Sequence, residues 1–188
     1  MDMPHSTTHD ASPAPCQRCG MAGATCCTID PTDASLCFPV SRSEWERIVD
    51  HCDKRGGFAT EPNTRPFVDN LIRLFPGEAR EIERLFPPHG FHLRLAVDAK
   101  GNCAFLGPEG CTLPREVRPW YCLVFPFWLQ GGRIAIFTPS GCVAVREGRT
   151  VPGCLALMNF TARDVRRLAG RLRLAWGLPP LDENGETL

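Results

Sequence analysis

Seven of the eleven cysteines in this 188-residue chain fall into two groups with the spacing of metal ligands. The first group is Cys16-Gln-Arg-Cys19-Gly20, followed by Cys26-Cys27. The second is Cys103, Cys111 and Cys122, set around Arg118-Pro119-Trp120-Tyr121-Cys122. Thiolates gathered in this way bind soft or borderline metals or iron–sulfur clusters. An odd count of eleven fits a complete disulfide framework poorly, so grouped cysteines point to metal or redox chemistry.

The rest of the composition narrows the class. The length predicts one domain, and 43% hydrophobic residues suffice for a sizeable core. The 21 basic and 21 acidic residues cancel, so neither nucleic acid nor an anionic membrane is expected as a partner. The nearest thing to a basic stripe is Arg163, Arg166, Arg167, Arg171 and Arg173, which reads as the solvated face of a helix. No apolar run reaches the ~18 residues of a membrane helix. Met1 to Pro15 is polar and lacks the apolar stretch of a signal peptide. A cytoplasmic location with reduced thiols is the expectation.

Patterning along the chain predicts a small α+β domain with helices, two β-hairpins and cysteine-rich loops organised around a metal site. Residues 1–15 read as a disordered tail, 16–178 as the cysteine-cluster domain and 179–188 as a short tail. His5 and His9, in the first tail, read as solvated. Residues 16–40 read as loop. Ser41-Arg-Ser-Glu44 is a capping box opening a helix to about Arg55. Further helices are predicted over Arg65–Phe75, Glu78–Phe86 and Thr161–Trp176. Alternation over His92–Val97 predicts a strand that turns at Asp98–Asn102 and returns as Cys103–Leu106. A second hairpin is predicted from Leu123–Leu129 and Arg133–Thr138, with Cys122 at its start.

Within the first cysteine group, C-x-x-C lets two sulfurs reach one ion, with Gly20 allowing the backbone close to the metal. Adjacent thiolates such as Cys26 and Cys27 seldom share one tetrahedral ion. The pair therefore either bridges two metals or supplies one ligand and one buried thiol. Several thiolates on one centre leave an excess of negative charge, for which Arg118, and next Arg115, are the nearby cations. Cys142 is the best candidate for an eighth ligand. Cys52 falls on the apolar face of its helix and reads as core. Cys37 and Cys154 stay open. His51, His89 and His92 are scattered and read as surface or satisfied histidines.

Taken together, C-x2-C-G…C-C, then Cys103 with Phe105 and Leu106, Cys111 with Leu113, and Arg118-Pro119-x-x-Cys122-x-x-Phe125-Pro126 resemble the YkgJ-type cysteine-cluster family, described as a zinc- or iron-chelating domain. Ser43-Glu44 with Ile48 is similar to the helix start that follows the first cluster there. The resemblance spans residues 16 to about 127 and implies metal binding without an agreed activity. Six residues separate Cys19 from Cys26, more than is usual there, and Leu123 stands where Arg is frequent. The related flagellin lysine-N-methylases share the cysteine cluster.

Three functions follow as expectations. The first is a metal-binding protein holding an iron–sulfur cluster or zinc in a structural, electron-transfer or sensing role. The second is an enzyme, lysine-N-methylase-like or redox, using the cluster. The third is a zinc-stapled interaction module, in which the run from Trp120 to Trp128 is partly exposed. The sequence carries no nucleotide-binding glycine loop, no C-x3-C-x2-C run and no H-E-x-x-H, and it names no protein partner.

Overall fold

The computed structural model describes residues 15–21, 26–30, 32–33, 37–52, 55–139 and 141–188. The tail expected over residues 1–15, with His5 and His9, lies outside the described residues except for Pro15. The described chain forms a small α+β domain of eight helices and three two-stranded antiparallel sheets.

The helices follow local signals where those are strong. Helix α2 (Arg42–Cys52) begins at the expected capping box: Ser41 N–H and Oγ–H donate to Glu44 Oε2, and Glu44 N–H donates back to Ser41 Oγ. Helix α3 (Arg65–Leu74) is capped by Thr64, with Pro66 in its first turn, and buries Phe67, Val68 and Leu71. Helix α4 (Ala79–Leu85) follows after a short turn. Helix α8 (Ala162–Trp176) opens on a reciprocal Thr161–Asp164 box and stops at Gly177, whose φ of 84° is left-handed. Its buried stripe is Val165, Leu168, Leu172 and Trp176.

Strand pairing departs from expectation. Strand β2 (Phe91–Leu95) pairs with β1 (Phe58–Pro62), which the sequence reading missed, in register Phe58↔Leu95 to Pro62↔Phe91. The expected partner, Cys103–Leu106, meets the end of this strand through the Val97↔Cys103 bridge and the Ala104 N–H to Ala96 O bond. The non-local pairing wins because it lays Phe58 and Leu95 over Phe105. Strands β3 (Leu106–Gly107) and β4 (Gly110–Cys111) form a two-residue ladder. The last sheet, β5 (Phe127–Gln130) with β6 (Arg133–Ile136), is the second predicted hairpin. The start of its predicted first strand is helical instead: Leu123 and Val124 belong to α5 (Trp120–Val124), so Cys122 sits on a helix and not at a strand start.

Helix α1 (Pro15–Met21) carries Cys16 and Cys19, where a loop was expected. Seven residues are too few to hold a helix alone; α1 is packed onto β4 and α6 (Val143–Gly148). Helices α6 and α7 (Val151–Leu157) were also missed, since Gly and Pro punctuate this stretch. There the glycines serve close approach: a side chain on Gly148 would meet Cys154 N at 2.6 Å.

Two apolar cores result. The larger joins α3, α4, α5, β5 and α8 around Phe67, Leu71, Ile82, Val124, Phe127, Val165 and Leu172. The smaller gathers Ile48, Phe105, Leu113 and Val117, with Cys103 and Cys111 packed against it. The cysteine site rests on this smaller core. Phe127 and Trp128 are buried, so the aromatic run after Trp120 is mainly core. No helix is long and apolar enough to cross a membrane among the described residues.

Candidate metal centre

Six separate pieces of chain bring the predicted cysteines toward one another. Helix α1 carries Cys16 and Cys19; Cys26 and Cys27 follow in a turn. The Cys103 N–H donates to Cys27 O at 2.7 Å, tying that turn to the second group. Strand β4 carries Cys111, α5 carries Cys122, and Cys142 is the N-cap of α6. Helix α1 meets β4 backbone to backbone: a Cβ on Gly20 would lie 2.5 Å from Gly110 N. Gly20 therefore serves helix–strand contact here, a different role from the close approach to metal that the sequence suggested.

The thiols lie within electrostatic reach of one another. Cys16 has the thiols of Cys19, Cys142 and Cys27 and the guanidinium of Arg118 as its titrating neighbours. Cys122 has Cys27, Cys103 and Cys111, with Glu44. Cys111 has Arg118 and Cys27, and Cys26 has Cys27, Cys122 and Cys16. Cys27 recurs in every one of these sets, whereas Cys26 does not. Among the described residues no three His, Cys, Asp or Glu side chains are closed into a ligand geometry around one point.

Titration follows from this crowding. The Cys26 thiol is pushed up by its hydrogen bond with Cys27, then by burial. Burial pushes Cys103 up to about 11, and raises Cys16, Cys111 and Cys122 as well, with neighbouring thiols adding to it. Arg118 opposes the rise at Cys16 and Cys111. Thiols held this way keep their protons until a cation compensates the charge they would carry. Burial also raises the Tyr121 phenol, with Cys122, Cys26, Cys37 and Cys27 adding.

The donor set suits a soft or borderline cation. Cys122 keeps an exposed surface. A recess of about 410 Å³ lined by Gly20, Thr28, Asn102, Cys103 and Leu106 opens beside Cys103. A hollow of about 200 Å³ between α3, β5 and α8 has no cysteine in its wall. Cys19 Sγ accepts from the Val143 N–H at 3.3 Å, the kind of bond that steadies a thiolate.

Arg118 is held in place, donating from Nε to Leu113 O at 2.8 Å and from Nη2 to Cys111 O at 3.4 Å. Arg115, the second expected cation, lies over Phe160 instead, at 4.8 Å. Cys52 is a correction: it is exposed, its Sγ–H bonded to Ile48 O, because α2 turns that end of its apolar stripe outward. Cys154 is buried in the larger core and donates to Ala144 O. Cys37 is half-buried, with Arg94, Glu61 and Asp33 nearby, and lies within reach of Cys103.

Two residues with roles here were not singled out from sequence. Glu44 was read only as a capping residue, yet its Oε1 also accepts the Trp120 N–H at 2.7 Å. Pro119 gives α5 no side-chain cap, and Glu44 supplies one from across the fold, fixing the helix that carries Cys122. Tyr121 stacks on Phe38 at 3.6 Å and walls the thiols. Of the histidines, His92 is buried, stacked on Phe67 at 3.8 Å with Nδ1 3.0 Å from Asn63 Oδ1.

No family model matches this chain, and no curated protein or solved structure matches it either.

Proposed function

We propose that this protein binds metal, as an iron–sulfur cluster or as zinc, through thiolates drawn from Cys16, Cys19, Cys26, Cys27, Cys103, Cys111, Cys122 and Cys142. The observation that carries the reading is the approach of these thiols from six chain segments, with Cys27 a neighbour of most of them. The order of motifs, which resembles the YkgJ-type family, supports it. When bound, the metal supplies positive charge that lets the thiols ionise together. Arg118 offsets part of the remaining negative charge, and the Val143 N–H steadies Cys19.

Anaerobic purification followed by elemental analysis and visible absorption tests this. A brown protein with iron and sulfide, bleaching reversibly on reduction, assigns an electron-transfer or sensing role. A colourless protein with zinc assigns a structural one. Cys122→Ser should lose the metal, and Cys52→Ala should keep it. A folded, metal-free wild-type protein would sink the reading.

A further inference from the structure

Two arginines lie against one aromatic ring on α5, that of Trp120. The guanidinium of Arg47, on α2, lies 4.6 Å from the centre of the Trp120 ring, and that of Arg171, on α8, lies 5.2 Å from it. Three other arginines that reach across the fold take a carboxylate: Arg18 takes Glu147, Arg94 takes Glu61, and Arg173 takes Glu78. Arg47 and Arg171 take none among the described residues.

Arg47 is aimed by its own bonds. Its Nε donates to Val117 O at 3.3 Å and its Nη2 to Arg118 O at 2.9 Å. Those bonds hold one side of the guanidinium fork and leave Nη1 without a protein acceptor among the described residues. The nearby carboxylate of Glu44 is already committed to Ser41 and to the Trp120 N–H. Burial holds the Arg47 pKa below its ordinary value, and Arg171 lowers it further against the pull of Glu44. Like charges brought together this way are stabilised when an anion lies between them. The planar forks of two arginines suit the paired oxygens of a tetrahedral oxyanion, and two positive charges match a double negative one.

We propose that Arg47 and Arg171, seated on Trp120, form a binding site for a doubly charged oxyanion, inorganic phosphate or a phosphate monoester. The site stands apart from the metal reading, since none of its three side chains is a thiol. Arg171 is exposed, so the anion enters from solvent, and Arg47 forms the half-buried floor.

Calorimetric titration of the full chain tests it, with inorganic phosphate in one arm and a simple alkyl phosphate monoester in the other. Ionic strength is held constant with chloride, and the Trp120 indole N–H signal is followed by NMR. Saturable binding that moves the Trp120 signal is expected. Tighter binding of phosphate identifies the free ion as ligand, and tighter binding of the monoester identifies a phosphorylated small molecule. Arg171→Gln should weaken the preferred ligand by about tenfold or more, the loss of one charge-assisted hydrogen bond. Because Arg171 is exposed, an unchanged unfolding midpoint without ligand confirms that this variant folds, and Arg47→Gln should weaken binding in the same direction. Absence of a saturable Trp120 response in both arms overturns the proposal. So does equal affinity in Arg171→Gln and wild type.

Discussion

Both oxygens of Glu44 are engaged, one with Ser41 and one with Trp120. Only the first of these bonds was legible in the sequence, because it spans three residues; the second joins positions 76 apart. His92 shows the same limit. Alternation placed it on a strand but left it as a surface or satisfied histidine. The structure buries it against Phe67, Glu61 and Arg94 being the charged groups it feels. Burial drives its pKa down from 6.5 to about 4, with Arg94 lowering and Glu61 raising it. The unfolded chain therefore takes up a proton at this site before the folded one does. Its contribution is complete above pH 6.5 and is lost as pH falls toward 4, on the order of 1–3 kcal/mol. Unfolding midpoints between pH 7 and pH 4 should fall less steeply in His92→Gln than in wild type. Parallel curves would assign the acid sensitivity to other groups.

At the scale of elements, helices with local start signals were legible: the boxes at Ser41 and Thr161 and the stripes of α3 and α8 could be read directly. Helices α1, α6 and α7 could not, since each is seven residues or fewer and is held by neighbours. Strand β1 was missed because its partner lies beyond two helices. The arginines of α8 illustrate what docking decides. They were expected to form a solvated face, yet Arg173 is buried and paired twice with Glu78 at 2.7 Å. This pair binds the N-cap of α4 to the last turn of α8. Glu78→Ala leaves an uncompensated buried charge and should cost about 3–5 kcal/mol in denaturant unfolding. Adding Arg173→Met should recover much of that loss; an unrecovered double variant would show that the pair also contributes through packing.

For the whole molecule, the division into two cores sets how it should respond to loss of the proposed metal. The larger core is built without the clustered cysteines, whereas Cys103 and Cys111 lie against the smaller one. Metal binding in small sites contributes on the order of 10 kcal/mol. Stripping metal should therefore raise amide exchange over residues 15–30 and 103–118 while α3 and α8 stay protected. Uniform exchange throughout would show that the two cores unfold as one. The sequence by itself determined the thiol-rich chemistry, the capped helices and the α+β class, because these rest on residue type and on spacings of two to four. Tertiary structure alone decided that Cys27 neighbours most of the other thiols, that Glu44 caps the helix of Cys122, that Cys52 faces outward and that Arg47 and Arg171 lie against Trp120. Each of those depends on which distant segments pack together, and packing selects among partners that local spacing cannot distinguish.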